Sequence, residues 1–451
     1  TVRDGLTTTK GLCSRWGMVK KVLIISNNAL SFSANNGRTL NSFFADYDGE
    51  KLAQLFFNAE RPQSKVVKRF FNVRAFEQLR QLFSKEHEAG SDVSSSVSSV
   101  VTTAHGLVSS SVKVRFVSFL NTYLESLKLY LRDLGYRCGL QKNKRLMAWV
   151  ENFSPECIFF VAGNCKFAID YALFLSARLN IPLFTYITDD YVLSNCPVGP
   201  FGKAYHHGLH KRYAELLQSS RQVFFIGDSM RSAFESAYGS GGETLINCNL
   251  ISQPVPAGRE FVTPGQVRVV FAGGLHLGRD SSIISFARLM SGVCGQLGLS
   301  YSIDLYSGQS FSSAMLSRFE ASGISYRGSA SWDDLQVEFK KADFLLHVES
   351  FSEKYAEKTR YSLSTKLPEY LSSGVCVIGF GPETVASIKL LRDHKIGLAL
   401  SKNAGDMNVL SDAIQSTFIR SSFGEQGVSF AWANFSPELI KKKLYDSLQE
   451  V

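Results

Sequence analysis

Lys366 and Glu369 lie three positions apart in STKLPEYLSSG (364–374), on what the pattern predicts to be the first turns of a helix. A lysine there can meet a diphosphate, and a carboxylate one turn on can accept hydrogen bonds from two ribose hydroxyls. Ser364 opens the same run and is grouped with them. The preceding ADFLLHV (342–348) and the following VCVIG (375–379) are continuous apolar runs, the signature of strands buried on both faces of a parallel sheet. The pair therefore belongs to a β-loop-α-β unit at a strand's carboxyl end, where the loops of open α/β sheets receive ligands. One Lys/Glu pair alone would equally suit a solvated helix face.

A second loop strengthens the pair. GGLHLGR (273–279) directly follows the apolar run VRVVFAG and precedes a helical pattern. Gly273 and Gly274 let the backbone approach a ligand, and Arg279 can fork onto phosphate oxygens. His347, Glu349 and Arg360 flank the strand end in HVESFSEKYAEKTRYS, a polar loop placed before STK. Any of them can read a sugar, and a solvated face explains each as well.

These residues need a scaffold, and the chain supplies one twice. KKVLIIS (20–26) is a strand followed by a loop and a helix from Arg38, with Gly37 at the turn into it. No full GxGxxG is present there, so a dinucleotide fingerprint is lacking. Residues 91–113 are rich in Ser, Val and Thr and read as a loop or insert. Helical spacing occupies 114–134 and 143–152, after which strands CIFFVAG, PLFTYIT, QVFFIG and ETLIN alternate with helices at 167–179, 203–219 and 229–238. Residues 252–266 hold three prolines and two glycines, a linker composition. The alternation then restarts, with strands VRVVFAG, YSIDLYS and ISYRG, helices at 281–297, 312–322 and 332–341, and a closing helix at 437–448 after a stretch bearing Trp432. Two such series imply an α/β protein of two doubly wound, Rossmann-like domains facing each other across a cleft. The expected division is an extension at 1–17, an N-terminal acceptor domain at 18–255, a donor domain at 256–432 and a tail at 433–451 that packs back on the first domain.

Composition narrows the partners. With 45% hydrophobic and 20% charged residues the 451-residue chain is neither disordered nor fibrous. No apolar stretch approaches the roughly 20 residues that span a bilayer, and the first residues lack an apolar signal core, so a cytoplasmic protein, or one peripheral on the inner membrane face, is expected. The eight cysteines show no CxxC or other metal-ligand spacing and read as reduced core residues. A net charge of +9 favours an anionic partner. In RPQSKVVKRFFNVR (61–74) Lys65, Lys68 and Arg69 interleave with apolar residues. As a helix this would be an amphipathic basic face able to rest on anionic lipid, or simply a surface helix with its apolar side in the core. The aromatic-plus-basic pattern of RNA-binding modules is absent, and no nucleic-acid partner is expected.

With these motifs in place, the chain resembles the GT-B glycosyltransferases, and more narrowly the bacterial family 4-like enzymes of surface polysaccharide synthesis. The resemblance covers most of 18–450 and is concentrated in FAGGLHLGR, ADFLLHVESF and TRYSLSTKLPEYLSSG. It implies that Gly274 and Arg279 hold the donor diphosphate, and that Glu369, five positions before Gly374, binds the nucleotide ribose beside Lys366. A second glutamate eight positions earlier contacts the donor hexose in that family; here the position is Tyr361. Either Glu349 serves from across the longer loop, or Arg360, Ser362 and backbone amides read the sugar. Retention of anomeric configuration is what the family suggests.

On the acceptor side, YITDDY (186–191) places Asp189 and Asp190 just after a strand, where the family commonly has a histidine. One of them can take or relay the acceptor proton or steady positive charge on the donor sugar; equally, they can be a helix amino-terminal cap or a loop pair. Asn164, after FFVAG, is a weaker candidate, and Gly37 belongs to the same side. His206, His207 and His210 have helical metal spacing but no accompanying carboxylate or cysteine, so a surface cluster is expected and no metal. The expected partners are a nucleotide-sugar donor and a lipid-linked or oligosaccharide acceptor, with no cofactor. Lys366, Arg279 and helix-terminal amides would replace a divalent ion. Two other classes remain, a nucleotide-sugar epimerase or hydrolase of the same fold and a non-enzymatic polyanion-binding protein. Product analysis without acceptor separates the first, and salt-sensitive binding without a nucleotide requirement marks the second.

Overall fold

Among the described residues fourteen strands form two sheets, each woven from βα repeats. The structure, a computed structural model, describes residues 19–31, 35–74, 77, 89–94, 129–137, 139–140, 143–193, 199–256, 258, 260–261 and 263–450. The expected extension at 1–17, most of the Ser/Val/Thr-rich segment and most of the 114–134 helix lie outside them, as do Cys13, Cys138 and Cys196.

In the first unit the strands are β1 (Val22–Ser26), β2 (Leu52–Phe56), β3 (Arg69–Asn72), β4 (Ser91–Asp92), β5 (Cys157–Ala162), β6 (Leu183–Ile187), β7 (Gln222–Phe225) and β8 (Glu243–Thr244). Their order is β4-β3-β2-β1-β5-β6-β7-β8, parallel except for the β3–β4 pair. The helices are α1 (Asn35–Phe43), α2 (Lys144–Phe153), α3 (Lys166–Leu179), α4 (Gly199–Ser219) and α5 (Asp228–Tyr238), with a further helical stretch at 129–137. β1, β5 and β6 are buried at every position, as double-sided cover by helices requires. The sequence reading of 61–74 as a helix is corrected here: Arg69–Asn72 is a strand whose Phe70 and Phe71 are core residues. Parallel pairing beside β2, with Phe70, Phe71 and Asn72 all buried, wins over the basic spacing that mimics a helix face.

The second unit contains β9 (Gln266–Ala272), β10 (Ser300–Tyr306), β11 (Ile324–Gly328), β12 (Phe344–Val348), β13 (Cys376–Phe380) and β14 (Leu398–Leu400). They lie in the order β11-β10-β9-β12-β13-β14, all parallel. Its helices are α6 (Arg279–Leu297), α7 (Ser313–Glu320), α8 (Trp332–Lys340), α9 (Glu353–Thr359), α10 (Leu367–Ser372), α11 (Ala386–Asp393), α12 (Asp406–Gln415) and α13 (Thr417–Phe435). Val267, Val269 and Phe271 of β9, Ile303 of β10 and Leu346 of β12 share one core with Ile283, Phe286 and Met290 of α6. The polar loop expected before STK contains α9, a helix too short and too charged to announce itself by period.

The chain divides into two compact units, Thr1–Leu245 with Lys441–Val451, and Ile246–Ile440. Residues 246–255, grouped with the first half on sequence, belong with the second unit. There Ile251 N donates to Ser372 Oγ (2.9 Å) and Val255 N to the Ser373 carbonyl (2.7 Å). The last helix, α14 (Pro437–Gln449), runs through the second boundary. Within the first unit Lys441 pairs with Asp46 (2.6 Å), and Tyr445 donates to the Phe43 carbonyl (2.8 Å) and meets Tyr47 edge-on. Both doubly wound units expected from the sequence are present.

Candidate functional site

In each sheet the strand order reverses once, between β1 and β5 in the first unit and between β9 and β12 in the second. Loops leave such a point to opposite faces and open a crevice at the carboxyl edge. The second unit's reversal carries the donor-side residues singled out on sequence.

α10 is fixed to this edge by Tyr370. Its hydroxyl accepts from Ala272 N (2.8 Å) and donates to the Ala272 carbonyl (3.2 Å), so the last residue of β9 is held on both its polar groups. Lys366 is the N-cap of α10, and its Cε lies 4.0 Å from where a Cβ on Gly273 would stand. The lysine stem thus lies along the glycine loop that follows β9. A Cβ on Gly274 would come within 2.9 Å of the His276 ring, which lies over it. Ser364 N donates to Ser387 Oγ (3.1 Å) and Ser364 Oγ accepts from Lys366 N (3.3 Å).

Glu369 is buried, so the solvated-helix alternative does not describe it. The Asn247 amide donates to Glu369 Oε1 (3.2 Å) and to the Thr365 carbonyl (2.9 Å). Gly374 closes the helix with φ +78°, and a Cβ there would stand 2.7 Å from the Val255 carbonyl oxygen, so only glycine satisfies both the backbone and the close approach.

Across the reversal, Arg279 forks onto Glu349, with Nη2 at 3.0 Å from Oε1 and 2.9 Å from Oε2. The guanidinium expected to fork onto phosphate is paired in the structure with Glu349, just after β12. His347 Nε2 lies 3.2 Å from Glu349 Oε1, and Glu349 N donates to the Phe380 carbonyl (2.9 Å). Glycines make room for this pair: a Cβ on Gly381 would stand 2.7 Å from Glu349 Cβ, and one on Gly278 would stand 2.9 Å from Ser350 Oγ. Burial pushes the Glu349 carboxyl up, but Arg279 and then His347 outweigh it and hold it below its ordinary value of 4.5. A carboxylate depressed in the folded state adds stability above its unfolded pKa, and that stability disappears as pH falls through the folded value. Thermal melts from pH 6 downward should therefore show a larger acid-side loss in the wild type than in Glu349→Gln. Arg360 is exposed and stands over the Tyr361 ring (5.5 Å), while its carbonyl accepts from Ala386 N (2.8 Å).

In the first unit the two aspartates separate. Asp190 is buried, and its Oδ1 accepts from Val192 N (3.0 Å) and Leu193 N (2.6 Å) in a bend with no helix at 191–193, so it is the loop alternative and not a helix cap. Asp189 is half-buried, with Tyr191 donating to its Oδ2 (3.3 Å). Asn164 is exposed beside Cys165, whose thiol donates to its Oδ1 (3.3 Å). Gly37 is a packing glycine: a Cβ would stand 2.4 Å from Ser31 N. Lys68 pairs with Glu50 at 2.8 Å, both exposed, and Lys65 is exposed. His206 and His210 lie on α4 with ring centroids 6.5 Å apart. Among the described residues no group of three His, Cys, Asp or Glu side chains is placed to hold a metal.

Sequence reasoning passed over Asn247, Tyr370 and Gly278. The apolar pattern of ETLIN predicts a strand throughout, whereas β8 ends at Thr244 and frees Asn247 to turn toward α10. An apolar run ending in Asn was the available signal.

No family model and no curated protein matches the chain. Solved structures do. HepE from Anabaena, in complex with UDP and glucose, aligns over 96% of this chain and all of its own, with TM-score 0.55 and 11% identity. TarM aligns over 96% of this chain and 99% of its own, with TM-score 0.57 and 10% identity. An α,α-trehalose-phosphate synthase (UDP-forming) from Burkholderia vietnamiensis aligns over 96% and 100%, with TM-score 0.57 and 11% identity. At these identities the likeness is one of fold, and it extends over nearly the whole chain.

Proposed function

We propose that this chain is a glycosyltransferase that takes its sugar from a nucleotide diphosphate sugar held at the carboxyl edge of the second unit. The observation that carries this is Lys366 lying along the Gly273 loop, with the buried Glu369 one turn further along the same short helix. A cation over a glycine backbone suits a diphosphate, and a carboxylate one turn away suits a ribose diol. Two neighbours of the same fold were crystallised with UDP-glucose or UDP-2-fluoro glucose, which supports the choice of donor class.

In this reading Lys366 takes up the charge that develops on the departing diphosphate, and Glu349, held ionised by Arg279 and His347, accepts from hydroxyls of the donor sugar. On the acceptor side Asp189 is the carboxylate carried forward for the hydroxyl proton, since Asp190 is committed to backbone amides. The family resemblance adds the finer points: a glycan or lipid-linked acceptor of bacterial surface polysaccharide synthesis, retention, and no divalent ion. The exposed Lys65 and Lys68 are the residues that would face an anionic membrane. No helix among the described residues is long and apolar enough to cross one.

A thermal-shift panel of UDP-, GDP-, CMP- and dTDP-sugars tests the donor. One of the diphosphate sugars should raise the melting temperature where the monophosphate CMP-sugars do not, and the shift should persist in EDTA. Stabilisation follows RT ln(1 + [L]/Kd), so ligand at a hundredfold its Kd should give about 2.7 kcal/mol. No shift with any compound would sink the reading, and a shift abolished by EDTA would remove its metal-independent part.

A further inference from the structure

We infer that Asn247 is a positioning residue for nucleotide recognition: it fixes the orientation of the Glu369 carboxylate and so sets the preference for a ribose bearing its 2′ and 3′ hydroxyls. The inference rests on the reading of Glu369 given above and extends it to a residue outside the helix and its strands.

Asn247 is buried, and its side chain is used in three directions. Both amide protons are donated, one to the Thr365 carbonyl (2.9 Å) and one to Glu369 Oε1 (3.2 Å), while Oδ1 accepts from Asn249 N (3.3 Å). The amide has one sensible orientation, because turning it over would set Oδ1 against a carbonyl and a carboxylate oxygen. Glu369 is also buried, so a carboxylate oxygen fixed at one point fixes the plane of the group. The backbone around Asn247 is fixed in turn: Ile251 N donates to Ser372 Oγ (2.9 Å) and Val255 N to the Ser373 carbonyl (2.7 Å), so this segment follows α10 along its length. Thr365, whose carbonyl takes the first amide proton, directly precedes Lys366. One side chain therefore braces the turn that carries the cation and the carboxylate together.

A brace of this kind differs from a general contribution to folding in what it should change. A structural loss weakens every nucleotide alike, whereas a misdirected carboxylate weakens only ligands that offer it hydroxyls. The experiment measures, by calorimetry, the Kd values of UDP, GDP and their 2′,3′-dideoxy counterparts for the wild type, Glu369→Ala, Asn247→Ala and Asn247→Asp. The wild type should favour a ribonucleotide over its dideoxy counterpart by about tenfold or more, the range for hydrogen bonds to a charged group. Glu369→Ala should bring that ratio close to one. Asn247→Ala should lower it to about threefold or less while leaving the dideoxy Kd within about twofold. Asn247→Asp, which keeps the shape but sets two carboxylates together, should lower it at least as far.

If Glu369→Ala leaves the ratio unchanged, or neither nucleotide binds the wild type, the ribose reading fails and the inference with it. If Glu369→Ala collapses the ratio but both Asn247 variants keep it, the ribose reading stands and the role given to Asn247 is overturned. Because the ratio is internal to each variant, partial unfolding of one of them does not blur the result.

Discussion

Glu349→Ala should be the most destabilising single substitution in the second unit, lowering stability by about 3–5 kcal/mol, the usual cost of removing one partner from a buried ion pair. The carboxylate sits at the end of the central strand β12, is buried, and is gripped by Arg279 through both of its oxygens, with His347 beside it. Its removal leaves a guanidinium, itself only partly exposed, facing the space that the carboxylate filled. Denaturant titration followed by tryptophan fluorescence reads the loss directly. Arg279→Met should cost a similar amount for the converse reason, a buried carboxylate stripped of its main counter-charge. Combining the two should cost less than the sum of the singles, because the second change no longer strands a charge. Full additivity would mean that the pair contributes nothing as a pair.

Lys366→Met should have the largest effect on transfer, lowering kcat by about 10²–10³-fold, the range for removing one preorganised group from a developing negative charge. The substitution keeps the aliphatic stem that runs along the Gly273 loop and removes only the ammonium, so stability should change by less than about 1 kcal/mol. Steady-state rates with the donor chosen by the thermal-shift panel provide the check. A fall confined to KM, with kcat intact, would mean that Lys366 binds donor and transition state equally and does not answer the leaving group.

The parts of the fold that were readable in the sequence are those where burial is unconditional. VRVVFAG, CIFFVAG and ADFLLHV are apolar at almost every position because helices cover both faces of their sheets, and all three emerged as strands. β2 is hard to see in the sequence because LAQLF interrupts its apolar run with Gln54. That glutamine is fully buried, accepts from Leu30 N (3.0 Å) and donates to Ser26 Oγ (2.8 Å), so its polarity serves the loop after β1. β3 is ambiguous in the sequence because lysines and arginines around two phenylalanines satisfy a helical period as well as a strand's. At the site, Lys366, Glu369 and the glycine loop were legible from spacing because they are local to two βα connections. The Arg279–Glu349 grip was not, since 70 residues separate its partners and only the reversal of strand order brings them side by side. Asn247 was hidden for the same reason, its partner being 122 positions away.

The closing helix has a consequence for biosynthesis. Tyr445 and Lys441 complete the surroundings of Phe43, Asp46 and Tyr47, so the first unit draws its last pieces from a stretch that follows the whole second unit in the chain. As the ribosome releases the chain from its amino end, this half must wait, unfinished, until the whole of the other half has emerged and had the chance to fold. A released chain truncated after residue 440 would therefore hold every residue of the second unit but leave the first unit without its seal, and limited proteolysis should cut it first in the first unit.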